Sequence, residues 1–539
     1  MGSILIRGGL VYSGENEPPV RADVLIEGER ILRIGETPAE QSADLTIDAL
    51  GLAVTPGFVD MHRHCDKGPM DRKKGLSDYG EALLRQGITT TVTGNCGISM
   101  VPVSGDADVR EQAQSYYESV LGNVRDYAGI RDYGQYLEAL EGCALPVNTA
   151  AMIGMGAVRI AVKGFSPEPF TGQELEKCRE IVRDSLIKGA PGATIGLMYL
   201  PECYETVEEL GEILKPLGEY DRILCTHIRG EGDSLVKSVE EVIEIARRAG
   251  CRLEISHFKS CGMQNWGRGI REAANLIERA RERGQRVECD FYPYDCGSTT
   301  LMSLIPPEFV GGDIAGAILS LEEEAGRDRL RRMLSKEYDD WDNYVVSLGW
   351  DKAVISAVAC PENRWMIGKD IARIAAEGGY ADEVEAVSGI LCSEGASVAI
   401  IIRSMDQRDV DTVAALPYSC VVSDAIYAET DRPHPRMYGA FPRIIREYVR
   451  ERGVLSMEDA VWKMTAVPAG RMRLKERGLL REGYYADVNI FAPAAFRDEA
   501  GYTEPVRLAT GLKACLVNGV PAVWEDSLTG KAAGRLLRI

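Results

Sequence analysis

Residues 222–258 read RILCTHIRGEGDSLVKSVEEVIEIARRAGCRLEISHF, and this stretch decides the fold. An apolar run carries His227 at its end. A helical pattern follows, with Leu235, Val239, Val242, Ile243 and Ala246 on one stripe. Asp233 or Ser234 is placed to cap its start, and Gly250 to end it. A second apolar run then begins at once and carries His257. Strand, helix and strand in direct succession make a crossover between parallel strands, hence an α/β sheet or barrel.

Working outward, the same unit recurs. Candidate strands fall at 53–64, 89–96, 146–156, 194–200, 222–228, 252–258, 286–294 and 419–425. Eight strands with helices between them predict a TIM-like (β/α)8 barrel. The gap 296–418 is too long for one crossover. It should hold an inserted, lid-like segment, centred on about 296–350, plus the seventh helix. Both ends read differently. "SILIRGGLVYSG" and "RADVLIEGERILRIGE" near the start, and "ADVNIFAP" and "KACLVNGVPAVW" near the end, are alternating strands broken by turn residues. The expected division is a small β-sandwich domain from 1–54 and 476–539, and a barrel over 55–475.

The composition narrows the partners. The chain has 539 residues, 45% hydrophobic, with a net charge of −20. That balance disfavours nucleic acid and anionic membrane surfaces, although a few local cations would still admit an acidic substrate. The 14 cysteines show no paired spacing, as in a reduced cytoplasmic protein. No signal peptide or membrane-spanning run is apparent, so a cytoplasmic location is expected.

The five histidines are His62, His64, His227, His257 and His434. The first four lie at the C-terminal ends of predicted strands, as do Cys96 and Asp424. In a barrel those ends meet on one face, where active sites sit. Taken singly, each residue is more often a packed core group or a helix cap. Together they are hard to explain by packing. Imidazoles and a thiolate suit zinc, which acidifies water and polarises a carbonyl. Asp424 is placed to take the water proton and return it to a leaving nitrogen. The expected chemistry is metal-assisted hydrolysis.

Finer motifs support a resemblance. "PGFVDMHRHCD", "GITTTVTGNCGIS", "IGLMYLPECYE", "THIRGEG", "ISHFKS", "DFYPYDCGSTTL", "VVSDA" and "DRPHPRMYGAFPRIIREYVRE" resemble the amidohydrolase superfamily, and within it the N-acyl-D-amino-acid deacylase (D-aminoacylase) family. The likeness covers nearly the whole chain. It implies hydrolysis of the amide of an N-acyl-D-amino acid, a small-molecule substrate. It implies one tightly held zinc at Cys96, His227 and His257, with His62 and His64 belonging to a second, weaker or vacant site. It implies Asp424 as the catalytic acid–base. It further implies Tyr199, Lys259 and Arg436 as the clamp for the substrate carboxylate, a sensible trio for that task. Asp66, Arg229 and Glu231 read as supporting or structural, and His434 as ordering the loop of Arg436.

Departures from the family pattern are Cys65 in "CDKG", Ala425 in "SDA", and the "LPECYE" that follows Tyr199. Cys65 is either a bystander or a competing thiolate ligand. The alternative activity is a cyclic-amide hydrolase of the hydantoinase or dihydroorotase kind. Many of those bridge two metals with a carboxylated lysine near the end of strand four, and "TIGLMYL" has no lysine. A barrel kept only as a binding scaffold would have lost metal ligands, and none is missing. Side-chain preference and oligomeric state stay open at this level.

Overall fold

The computed structural model describes residues 2–38, 40–71, 75–427, 430 and 432–539. Asp431, which opens the "DRPHPRMYG" motif, lies outside the described residues.

The deciding stretch folds as a crossover unit. Strands Ile223–His227 and Arg252–Ile255 pair in parallel, with the helix Leu235–Ala249 between them. Its apolar stripe is buried, and Gly250 ends it in the left-handed region at φ 68°. The start differs from the sequence reading. Ser234 occupies the cap position but makes no side-chain cap bond. The Asp342 carboxylate, from the inserted segment, instead accepts from the backbone N–H groups of Gly232 and Ser234. A distant acid therefore fixes the loop that leads into the helix, while no side chain caps its first turn.

Parallel pairing continues in chain order. Phe58–Asp60 pairs with Ile88–Thr93, and that strand with Asn148–Ala151. After a one-residue break, Ile153–Gly154 pairs with Gly192–Gly196, followed by Ile223–His227, Arg252–Ile255, Val287–Phe291 and Ser419–Val421. Ala425–Ile426 then pairs in parallel with Arg63–His64, so the last strand returns to the first. Val59, Met61, Val92, Ala150, Cys225 and Val422 share a core among these strands. Burial on both faces explains why the strands read as nearly continuous apolar and threonine runs.

Several strands stop earlier than the sequence suggested. The second ends at Thr93, the fourth at Gly196, the sixth at Ile255 and the eighth run at Val421. The residues beyond them leave extended geometry. Cys96, His257 and Asp424 have φ of 54°, 36° and 49°.

Between the seventh and eighth parallel strands, Gly297–Thr300, Ala353–Ala357 and Ala399–Ile402 form an antiparallel sheet. Because 297–300 is tied to 399–402, this segment extends well past residue 350. The helix Gln407–Ala415 then packs against Val287–Phe291 and Ser419–Val421 as the crossover. Both chain ends join in one nine-stranded sheet, where Ala53–Pro56 lies between Ser3–Val11 and Val488–Phe491. It has its own apolar core, including Ile4, Ile26, Val54, Val488 and Leu516. All fourteen cysteines are free thiols. Among the described residues no helix is long and apolar enough to cross a membrane.

Candidate active site

The three left-handed residues are held there by bonds from elsewhere. A non-glycine residue in that region costs of order 1–3 kcal/mol, so its surroundings must fix it. The Asp424 N–H donates to the His62 carbonyl at 2.9 Å. The His257 N–H donates to Asp290 Oδ1 at 2.5 Å. Cys96 is held through its successor: the Gly97 N–H donates to Thr194 Oγ1 at 3.0 Å. Gly97 itself has φ 73°, and a Cβ there would lie 1.8 Å from Glu202 Oε2. Glycine is required at that point, because the buried Glu202 carboxyl braces the loop while accepting from the Gly196 N–H.

These turns aim the side chains inward. Cys96 Sγ lies 3.3 Å from His62 Nε2 and 3.5 Å from His257 Nε2. His62, just before the short strand Arg63–His64, and His64 within it turn the same way. Both bring Nε2 to Asp424 Oδ1, at 3.3 and 3.4 Å. His227 Nδ1 meets His257 Nε2 at 2.8 Å. His62, Cys96, His257 and Asp424 thus offer one converging set of donor atoms, and His227, Glu231 and His257 offer another. The five sequence-picked ligands all reach this cluster, with His64 and His227 also within reach of the Cys96 thiol. Cys96 sits between His62 and His257, while His227 shares His257 with Glu231. His64 stands at the edge, with its Nδ1 buried and unpartnered.

The electrostatics favour a cation. Burial pushes the Cys96 thiol up, but His62 and His257 outweigh it and hold it well below its ordinary value. Burial likewise raises Asp424, and Arg436 with His62 pulls it well below the usual carboxylate range. Glu231 is raised by burial and lowered further by Lys259 and His227, with a net fall. Burial lowers His64, yet its bond to Asp424 and the nearby Cys96 carry it up to about 9. A thiolate, two carboxylates and several imidazole nitrogens, all buried and facing one another, form a donor set of the kind that holds zinc.

Asp290 was not singled out from the sequence. Its Oδ1 fixes the His257 backbone, and its Oδ2 lies 3.5 Å from His62 Nδ1. That partner directs His62 Nε2 toward the cluster. The available signal was a second acid, two residues after Glu288, inside the strand Val287–Phe291. Glu231, read as supporting or structural, stands closer than that reading implied. It is 3.0 Å from His257 Nδ1 and 2.5 Å from Lys259 Nζ.

The expected clamp residues divide around a cavity beside the cluster, with Arg436 outside its lining. Tyr199 and Lys259 line it. Tyr199 Oη lies 3.3 Å from Thr299 Oγ1, and its ring packs 4.8 Å from that of His227. Arg436 is buried, with Nη1 2.8 Å from Asp424 Oδ2. That is a charge contact without hydrogen-bond alignment, so Nη1 and Nε remain buried donors with no aligned acceptor. Tyr292, also missed, lies between these cations. The Arg436 guanidinium stands 4.5 Å over its ring and Lys259 Nζ 5.9 Å away. Its hydroxyl is buried and unpartnered.

His434 acts on the backbone. Its Nε2 donates to the Cys296 carbonyl at 3.0 Å, and its Nδ1 accepts from the Arg436 N–H at 3.1 Å. Arg229 chelates Glu241 and donates to the carbonyls of Cys203 and Glu205, a structural tie. Asp66 accepts from Thr93 Oγ1. Cys65 faces Tyr79 and Thr91, outside both sets of converging donor atoms, and burial pushes its thiol up to about 11.

Comparison with known proteins points the same way. The sequence profile of the amidohydrolase family matches residues 45–291 and 408–523. D-aminoacylase of Alcaligenes xylosoxydans xylosoxydans is 33% identical over 99% of this chain and 97% of its own. A D-aminoacylase structure, studied for its binuclear metal centre with one-metal activation and second-metal attenuation, superposes with a TM-score of 0.82 at 32% identity, covering 99% of both chains. The N-acyl-D-glutamate deacylase of Bordetella bronchiseptica, complexed with zinc and a phosphonate mimic of the tetrahedral intermediate, superposes at 0.82 with 30% identity and the same coverage.

Proposed function

The chain belongs to the amidohydrolase family, and from that membership we propose that it is a zinc-dependent hydrolase of N-acyl-D-amino acids, releasing a carboxylate and the free D-amino acid. The circular order of parallel pairings supports a (β/α)8 barrel over 55–475. The shared sheet of the two chain ends supports a separate β-domain from 1–54 and 476–539.

Cys96, His227 and His257 would hold a tight zinc ion, with His62 and His64 on the side of a second, weaker one. Bound zinc supplies acidified water and polarises the scissile carbonyl. The remaining work falls to the chain. Asp424, kept ionised beside Arg436, takes the proton of the attacking water and returns it to the departing amide nitrogen. Asp290 and Glu231 orient the histidine rings. Tyr199, Lys259 and Arg436 hold the substrate carboxylate, and the open donors of Arg436 and Tyr292 are the matching vacancies in hydrogen bonding. The missing lysine in the fourth strand and the central place of Cys96 argue against the cyclic-amide alternative.

The observation that carries this reading is the convergence of Cys96, His62, His257 and Asp424 from four distant strand ends. Purified protein, with and without added zinc, should release free amine from N-acetyl-D-amino acids and not from the L enantiomers. Ring opening of a hydantoin with no action on acyl amino acids would overturn it.

A further inference from the structure

A second cavity lies one loop and one helix away from the cavity beside the cluster. The two are similar in size, about 630 Å³ with its open mouth against about 580 Å³, and they share no described lining residue. In the loop after Cys96, Ile98 lines the catalytic cavity, while Ser99 and Met100 line the second. In the helix Ala107–Leu121, Val120 lines the catalytic side. Arg110, Ala113, Gln114, Tyr117 and Leu121 form another stripe, at three- and four-residue spacing, and line the second cavity.

This lining has the make-up of a small-molecule site, mostly apolar with a few polar groups. Met100, Leu121 and Ile160 are buried and bring aliphatic surface from three segments. Arg110 supplies a charge. It is half-buried, and its Nη1 donates to the carbonyls of Ser104 and Gly105 at 2.9 and 2.8 Å. It forms no ion pair among the described residues. Acids outnumber lysine and arginine in this chain by 82 to 62. An arginine left without a carboxylate in such a chain, beside an apolar cavity, points to an acid supplied by a ligand.

We propose that this cavity is a second ligand site, which takes an amphipathic monocarboxylate, and that filling it is felt at the metal cluster. The carboxylate meets Arg110, whose guanidinium presents paired N–H donors. An aliphatic chain lies along Met100, Leu121 and Ile160, where its burial is favourable. The route to the cluster is short. The N–H of Ala157, which lines the second cavity, donates to the Gly97 carbonyl at 3.3 Å. Ser99 Oγ accepts from the Gly154 N–H at 3.1 Å. Tyr117 stands beside Glu202, since a Cβ at Gly156 would meet Tyr117 Oη and Glu202 Oε2 at 2.6 Å each. Glu202 braces Gly97, the neighbour of Cys96. A ligand in the second cavity therefore touches the groups that set the Cys96 turn. The coupling, unlike the ligand class, rests on the reading of the cluster as a zinc site.

The test uses the full-length, zinc-loaded protein, titrated calorimetrically with octanoate, butanoate and octylamine. Octanoate should bind about 10-fold or more tighter than either of the others. No octanoate binding, or equal binding of octylamine, would overturn the proposal. N-octanoyl-L-alanine shares the chemistry, and its affinity relative to octanoate assigns the site to acylated amino acids or to free acids. Ala113→Trp, which fills the cavity, and Arg110→Gln, which removes the charge, should each weaken octanoate by about 10-fold or more. Unchanged affinity in Arg110→Gln would place the ligand elsewhere and overturn the proposal even if the bulkier variant failed to fold. Arg110→Gln should keep the turnover of the parent protein when octanoate is absent. Chelator competition should show octanoate shifting zinc affinity by about 5-fold or more in the parent protein and not in Arg110→Gln. An unchanged zinc affinity would overturn the coupling. If the protein holds no zinc, the hydrolase reading fails, and calorimetry still decides the ligand site.

Discussion

Two buried arginines sit at opposite ends of the same parallel strands, and they are finished differently. Arg471, at the end where the strands begin, donates to the carbonyls of Tyr418 and Cys289 and to Glu254 Oε1, at 2.7, 2.9 and 2.5 Å. Arg436, at the catalytic end, has one long side-chain bond, 3.5 Å to the Ser298 carbonyl, besides its charge contact with Asp424. Both are almost fully buried. A buried cation whose two terminal nitrogens are met by the fold, as those of Arg471 are, is architecture. One whose donors are left open implies an acceptor that arrives from outside, because an orphaned buried donor is costly. Open polar atoms are not confined to one end: Tyr292 Oη and His64 Nδ1 are open on the catalytic side, and Arg471 Nε and Glu254 Oε2 at the other.

Breaking the proton path should give the largest effect. Asp424→Asn is expected to lower kcat by roughly 1,000-fold or more while zinc content, measured by atomic emission, stays unchanged. Undiminished turnover would remove Asp424 from the chemistry. Arg471→Ala tests the other end of the comparison. It leaves Glu254 buried and unpaired, which should cost about 3–5 kcal/mol of stability in thermal unfolding. The folded fraction should keep its kcat/KM, and a selective loss of activity would blur the distinction between the ends. Arg436→Gln is the converse. Its kcat/KM should fall by about 10–100-fold, carried mainly by KM, with little change in thermal midpoint. A collapse in stability with normal KM would make Arg436 architectural after all.

The smallest effect concerns Lys463, which packs with Arg471 at the strand-start end. Its ammonium donates to the carbonyls of Leu416 and Ser419. Burial lowers its pKa from 10.5 to about 8. Between those values the unfolded chain holds a proton that the folded chain has released, so stability should rise with pH across that window and stay flat, at its lower level, below it. The gain should be about 1–3 kcal/mol. Lys463→Met should lose this rise and be the more stable variant near neutrality. Identical pH profiles for the two proteins would show that Lys463 keeps its charge in the fold.

Much of the site was legible because it is written in residue types that are rare and placed alike. Four of five histidines, one cysteine and one aspartate fall where apolar runs end, and the structure gathers them. What escaped were residues of ordinary appearance. Asp290 and Tyr292 sit in "DFYPY" and read as strand. Their importance lies in what they face, namely His62, His257 and Arg436. The acid that holds the loop before the helix Leu235–Ala249 escaped for the same reason, since Asp342 lies 108 residues from Ser234. The strand ends were read too long because nothing local announces that Cys96, His257 and Asp424 adopt left-handed backbone. Contacts across the fold impose that conformation.

The sequence by itself determined the alternation of strand and helix, the separate character of the two chain ends, and the chemical kinds of group at the strand termini. These follow from side-chain periodicity and type, which act over a few residues. Tertiary structure alone decided how the ligands converge, and which buried charges are satisfied and which are left open. Those outcomes depend on atoms brought within about 4 Å by the return of the last parallel strand to the first, a distance at which Coulomb and hydrogen-bond energies are set.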